Sequence, residues 1–386
     1  MSCLLVESKE HGTDKMRKEM WYKINNQNEL DSPSLLVYKE RVQRNIEKMI
    51  AIAGSAERLF THVKTNKMPE VVKMMLKSGI TKFKCATIAE AEMVAIAGGK
   101  YSLISHQLVG SKIERLVNLR QKYPDVFFAS LIDCIENADA HNKVFAENNL
   151  ISDVFLDINN GMDRSGHELD DKILNLYKYL NNQSNLKLHG LHVYDGHLRA
   201  TDFEERKNQI DAGFVDVKHF LEAIEAANLP KPMVIAGGTP AFTAHALREA
   251  TFCSPGTCVL WDWGYGDKLP EQPFEYAALV LTRVISKPKK GLVTIDMGHK
   301  AVASENPIDK RIRFLNLDNY ELLSQSEEHG VLAVKDWETI KVGDVLYGVP
   351  YHVCPTVNLY DEAYIIDNQQ VSDTWQILGR KRKITV

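Results

Sequence analysis

The chain has 386 residues, 44% of them hydrophobic and 25% charged, with 47 basic against 51 acidic side chains and a net charge of −4. These proportions exclude a disordered or collagen-like chain, and the missing basic excess excludes electrostatic capture of nucleic acid. Six cysteines, none in a C-x-x-C pair, make no disulfide framework. No apolar run reaches the roughly 18 residues of a membrane span, and the run in MSCLLVESKEHGTDK is too short for a signal peptide. A cytoplasmic protein with reduced thiols is expected. The basic run Arg380 to Lys383 reads as a solvated tail.

Residues 1–32 stand outside the alternating rhythm that begins at residue 33 and are expected to pack with the β domain. From residue 33 to 267, β-branched apolar runs alternate with segments of helical period. Strands are predicted to begin near Leu59, Lys82, Tyr101, Val126, Asp153, Leu188, Met233 and Phe252, and helices over 69–78, 88–97, 112–122, 137–147, 170–180 and 202–227. Pro69 suits a helix start, where its missing N–H costs nothing. The alternation predicts an α/β fold, a (β/α)8 TIM-like barrel of about 250 residues, with a doubly wound open sheet as competitor. From 268 to 386 the segments YAALVLTRVIS, GLVTIDMG, HGVLAVK, DVLYGVP and EAYIIDNQQVSDTWQIL, separated by turn signals, predict an all-β C-terminal domain.

The chemistry-bearing residues cluster at predicted strand ends, the active face of a parallel barrel. Lys64, after the first strand, is able to form a Schiff base if its surroundings lower its pKa; a solvated loop lysine is the alternative. Asp157 to Gly166 follows another strand, and Arg164 there can bind an anionic oxygen or set a cofactor's electronics; the alternative is an arginine in a glycine-rich surface turn. Tyr194 and His197 lie in the HVYDGH segment and can face a ring, or Tyr194 can be structural. Gly237, Gly238 and Thr239 close the strand from Met233 and open a helix, and Gly256 and Thr257 lie near the next strand end. Such backbones cradle phosphate, although ordinary βα turns share this composition. A Schiff-base lysine and a phosphate cradle together suggest pyridoxal phosphate. His352 and Cys354, two apart in what reads as an extended segment of the β domain, point to one face and can hold a divalent metal with open positions. With 13 histidines and six cysteines in the chain, chance also produces one such pair.

Six segments, FTHVKTNK from Phe60, GMDRSG from Gly161, GGTP from Gly237, DMGHKA from Asp296, SEEHG from Ser326 and HVCPT from His352, occur in this order. Together they resemble the D-threonine aldolase and D-serine dehydratase-like family, fold-type III pyridoxal-phosphate enzymes with an alanine-racemase-type barrel. The resemblance runs from Ser32 to the C-terminus and implies a barrel followed by a β domain. It implies that Lys64 carries the cofactor, Arg164 lies near the pyridine ring, Tyr194 lines the pocket, and Gly237, Gly238, Thr239, Gly256 and Thr257 hold the phosphate. It also implies one divalent metal, zinc or manganese, on His352 and Cys354, a homodimer, and a small D-β-hydroxy amino acid as substrate. Cys354 is dehydratase-like, whereas the adjoining PTVNL is aldolase-like. The implied activity is D-threonine aldolase, with D-serine or D-threo-3-hydroxyaspartate dehydratase as the alternative and a non-catalytic cofactor carrier as the alternative of another class. His62 and His197 are the candidate acid–base groups, chosen because imidazole titrates near neutral pH.

Overall fold

The computed structural model describes residues 20–386. The chain divides into two compact units. One holds residues 41–277, 352–361 and 376–386; the other holds residues up to 40, 278–351 and 362–375. The first described strand, β1 (Ser34–Tyr38), belongs to the latter.

The unit that opens at Arg41 is a closed barrel of eight parallel strands in sequence order: β2 (Phe60–His62), β3 (Lys82–Cys85), β4 (Tyr101–Gln107), β5 (Phe127–Ile132), β6 (Ser152–Ile158), β7 (Leu186–Val193), β8 (Met233–Ala236) and β9 (Thr251–Cys253). A parallel bridge between Leu59 and Cys253 completes the ring. Each predicted strand is present, because apolar β-branched runs buried on both faces are what parallel strands need. The helices Pro69–Lys77, Ile88–Ile96, Ser111–Lys122, Ile135–Glu147 and Ile173–Asn181 also match expectation to within a few residues. The segment read as one helix over 202–227 is two, Phe203–Gly213 and Val215–Ala226, meeting at Phe214. The far end of the barrel is filled by Phe60, Leu103, Ala129, Leu131, Phe155 and Ile235, with Tyr101, Phe127 and Phe252 packed against them. The C-terminal segment straps onto the same unit. Gly379 N–H donates to Lys67 O at 2.9 Å, and Thr385 N–H donates to the buried Glu92 carboxylate at 3.0 Å.

The other unit is a nine-stranded sheet. Besides β1 it holds β10 (Ala278–Lys289), β11 (Leu292–Ile295), β12 (Ile312–Phe314), β13 (Tyr320–Gln325), β14 (Gly330–Val334), β15 (Val345–Pro350), β16 (Glu362–Asp367) and β17 (Gln370–Gln376). They run in the order β13-β14-β11-β10-β1-β16-β17, with β15 on β10 and β12 on β15. The expected barrel boundary at residue 33 therefore moves. β1 is a central strand here, antiparallel to β10 and parallel to β16, and its five residues are all buried. An apolar run joined at once to a helix, Lys39–Ala53, imitates a barrel βα unit, so local pattern does not separate the two. Of the segment 1–32, residues 1–19 lie outside the described residues; Asn25 N–H donates to Gln369 O at 2.9 Å and Arg283 to Gln27 O at 2.8 Å within this unit.

His352 and Cys354, expected on the β domain, fall instead in the barrel unit. The expectation of an extended segment there is also corrected: His352 is the extended N-cap of a short helix, Val353–Val357. Pro355 stands in that helix's first turn, where a missing N–H leaves no bond unmade. Among the described residues no helix is long and apolar enough to cross a membrane.

Candidate active site

The C-terminal ends of the strands surround a cavity of about 510 Å3 lined by Lys64, Lys84, Arg164, His62, His192 and Tyr194, with Ser105, His106 and Gln107 at its sides. That volume is in the range of small-molecule sites. Three basic side chains, Lys64, Lys84 and Arg164, meet there and no carboxylate lines the cavity among the described residues, so an anionic guest is favoured.

Lys64 lies two residues beyond β2, its N–H 3.4 Å from His62 Nδ1. His62 is paired in register with Lys84 of β3, so both side chains leave the barrel wall at the same level, below Lys64. His62 Nε2 lies 3.4 Å from Ser105 Oγ. Burial, then the Lys64 and Lys84 charges, push the His62 imidazole well below its ordinary range, and the ring is neutral at neutral pH. That departs from the expectation of titration near pH 7: desolvation disfavours the cation. His197 is exposed and does not line the cavity; its ring stands over Gly161.

Sequence reasoning misses Lys84. Only 2% exposed, it donates to Ser254 Oγ at 2.9 Å and lies 5.4 Å from the Tyr194 ring centroid. Burial, reinforced by the Lys64 charge and opposed by Asp157, pulls its ammonium down to about 7. The segment KFKCA alternates, with Phe83 and Cys85 on the apolar face, so Lys84 reads as surface, and only closure of the barrel turns its face inward. Asp157 and His192 belong to segments with a recognisable pattern, but their partnership is visible only in the fold. His192 Nδ1 lies 2.6 Å from Asp157 Oδ1, and Gln107 and Ser165 donate to Oδ2 at 2.7 and 3.0 Å. Burial opposes ionisation of Asp157, and these bonds outweigh it and hold the carboxyl below its usual range. His192 Nε2 is buried without a protein partner.

Arg164 is on the loop after β6, its guanidinium 4.7 Å from the Tyr194 centroid. Gly238 lies so close to Tyr194 that a Cβ would stand 2.9 Å from Cε2; at Gly256 one would stand 3.0 Å from the His62 Cβ. The N–H groups of Gly256 and Thr257 converge on one oxygen, Thr239 Oγ1, at 3.2 and 3.1 Å. The helix expected to open at this turn starts instead at Phe242 and has five residues.

Cys354 Sγ lies 3.1 Å from Thr65 Oγ1 and 3.6 Å from Thr257 Oγ1. Burial disfavours its thiolate, but the His352 hydrogen bond and charge outweigh that and lower the thiol's pKa. Asp262 holds the turn by accepting from Val353 N–H at 3.1 Å. Among the described residues no three His, Cys, Asp or Glu side chains converge as a metal cluster.

The family described as "Alanine racemase, N-terminal domain" matches residues 37–262, more than half of the chain. A second, described as "Putative serine dehydratase domain", matches 277–366. The chain belongs to the D-threonine aldolase and D-serine dehydratase-like family. Its relatives include the 3-hydroxy-D-aspartate aldolase of Paracoccus denitrificans (strain Pd 1222), 28% identical over 92% of this chain and 93% of the relative. The solved D-threonine aldolase of Filomicrobium marinum shares the fold with a TM-score of 0.83 at 26% identity, covering 91% of this chain and 96% of that one. The D-threo-3-hydroxyaspartate dehydratase of Delftia sp. (strain HT23) is 25% identical over 90% of this chain and 97% of the relative. A mutant dehydratase of that name, solved in a metal-free form, gives a TM-score of 0.78 at 25% identity, with 90% and 97% coverage. As a member of this family the protein is an enzyme, a pyridoxal-phosphate-dependent lyase, which sets aside the reading as a non-catalytic carrier.

The residues present fit that cofactor. A primary amine, Lys64, faces a cavity lined also by Lys84 and Arg164, and glycines at 238 and 256 keep the backbone close to Tyr194 and His62, where a Cβ would intrude.

Proposed function

We propose that the protein is a cytoplasmic, homodimeric aldolase that cleaves D-threonine and related D-β-hydroxy amino acids to glycine and an aldehyde, assisted by one divalent metal. The observation that carries this reading is the contact of Cys354 Sγ with Thr65 Oγ1 at 3.1 Å, which brings the thiol and imidazole donors beside the residue after Lys64. Bound pyridoxal phosphate supplies an aldehyde for amines and a ring that accepts an electron pair from Cα.

In this reading the Lys64 amine would hold the cofactor covalently. Gly237, Gly238, Thr239, Gly256 and Thr257 hold the phosphate, and Arg164 and Tyr194 line the ring. His352 and Cys354 would hold zinc or manganese, the soft thiolate favouring zinc, and the metal would supply Lewis-acid chemistry toward the substrate hydroxyl. The neutral His62 takes the Lys64 N–H at Nδ1 and turns its Nε2–H to Ser105 Oγ, whose own hydrogen goes to Cys85 O, so Nδ1 is the atom that would accept the β-hydroxyl proton. Loss of that proton, cleavage of Cα–Cβ and protonation of Cα together give the aldehyde and glycine.

The imidazole–thiol donor pair favours a second reading, dehydration, in which the Cα proton and the β-hydroxyl leave and a 2-oxo acid and ammonia result. Product analysis on D-threonine, D-serine and D-threo-3-hydroxyaspartate decides: glycine plus aldehyde supports the aldolase, and a 2-oxo acid plus ammonia replaces it with the dehydratase. Borohydride reduction should fix the cofactor on the peptide containing Lys64; a label on Lys67 or Lys84 overturns the assignment of the amine.

A further inference from the structure

The cavity holds two primary amines, and only one is needed for a covalent link. Lys84 lies in a different place from Lys64. It leaves β3 level with His62, the last residue of β2, whereas Lys64 stands in the turn beyond that strand. Its partner, Ser254, immediately succeeds β9, whereas the convergent N–H groups of Gly256 and Thr257 lie farther along, beside His62 O and Thr65. Ser254 in turn donates to Gly237 O at 2.7 Å, which fixes the position of the Lys84 ammonium. An ammonium has three donors, and Ser254 takes one; the side chain lines the cavity with the others.

Pyridoxal phosphate is a rigid ring whose nitrogen is para to the carbon bearing the aldehyde. With the aldehyde carbon at Lys64 and the phosphate at the 256–257 amides, the ring nitrogen is the atom turned toward the floor. We propose that Lys84, held by Ser254, is the hydrogen-bond donor to the ring nitrogen of the bound cofactor. This rests on the cofactor reading above. The charged groups around Lys84 are Lys64 and Arg164, which oppose its proton, and Asp157 and Asp195, which favour it; the buried imidazoles of His62 and His192 face it as well. A cationic donor at the ring nitrogen keeps that nitrogen unprotonated, so the ring is a moderate electron sink.

The test is equilibrium binding to apoenzyme, read by tryptophan fluorescence, of pyridoxal phosphate and its 1-deaza analogue, which replaces the ring nitrogen by C–H. Wild type should bind the natural cofactor about tenfold or more tighter, the worth of one charge-assisted hydrogen bond. Lys84→Met should bind both equally, and Ser254→Ala should lose part of the preference. Equal affinities in wild type overturn the proposal, and this holds even if Lys84→Met fails to fold. A preference that persists in Lys84→Met also overturns it and moves the contact to another group, with His192 Nε2 the nearest candidate. A parallel fall for both compounds in Lys84→Met, with no change in their ratio, places Lys84 at the phosphate instead and again overturns it. Binding of neither compound by wild type is a separate result, which removes the cofactor reading itself.

Discussion

Lys82 and Lys84 leave the same face of β3 two residues apart. The Lys82 ammonium lies 5.3 Å from the Phe252 ring centroid and 6.0 Å from that of Phe60, and it donates to Glu57 O at 3.1 Å. It caps an aromatic floor in which Phe60 meets Tyr101 and Phe252 edge-on and Tyr101 stacks on Phe127 at 4.1 Å. The Lys84 ammonium, one pleat higher, is buried among His62, Tyr194 and Ser254, and there burial brings it to about 7. One strand thus supplies a cation that snorkels past an apolar layer and a cation held inside a site. The lesson concerns depth along the barrel axis: the far end is a filled core where shape matters, and the mouth is a polar chamber where protonation and donors matter.

That contrast predicts different kinds of failure. Phe60→Ala, at the far end, should cost about 3–5 kcal/mol of stability through the cavity it leaves. Cofactor affinity measured on the surviving folded fraction should be unchanged; a matching drop in affinity would show the two ends to be coupled. Cys354→Ala, at the mouth, should lower turnover about a hundredfold while the visible absorbance of bound cofactor and the melting temperature stay near wild type. Exhaustive chelation should do the same, and full activity in metal-free enzyme would return His352 and Cys354 to an ordinary turn. Gly238→Val pushes a side chain against Tyr194 and should weaken cofactor binding about tenfold, a displacement of one to two hydrogen-bond equivalents, with the circular dichroism spectrum unaltered.

The smallest effect is a pH slope. The folded pKa of His62 is depressed, so below about 6.5, the unfolded value, the unfolded chain binds a proton that the native state refuses. Stability therefore falls as pH drops from about 6.5 toward the folded pKa and levels off beneath it. Urea unfolding of His62→Gln between pH 7 and 5 should show a shallower decline than wild type; identical slopes would mean that His62 is solvated.

Much of the barrel is legible in the sequence because its strands are short apolar runs at regular spacing, and Lys64, His62, Arg164 and Tyr194 all sit where strand ends are expected and line one cavity. What is not legible depends on pairing between distant segments. Nothing local in Ser34–Tyr38 says that it inserts between β10 and β16. Nothing local in HVCPT places the segment with the barrel, since that comes from Asp262 and Thr65, 91 and 289 residues away from Val353 and Cys354. His197 resembles a site residue in its motif yet faces solvent, because the turn at Gly196 carries the chain out of the barrel. Lys84 is hidden for the opposite reason: a lysine in a strand ordinarily reads as surface.

The two units interleave along the chain. The barrel unit opens at Arg41 but takes its last pieces from 352–361 and 376–386, after almost the whole of the sheet unit has been specified. During synthesis at about 5–20 residues per second, the barrel strands are complete several seconds before the segment carrying His352 and Cys354, or the strap that joins Gly379 to Lys67, leaves the ribosome. The nascent barrel must wait with its mouth unfinished, and neither unit can be obtained whole by cutting the chain once. A fragment that ends before residue 352 lacks part of the barrel unit, whereas a cofactor arriving early would have a nearly complete chamber to enter before His352 and Cys354 are in place.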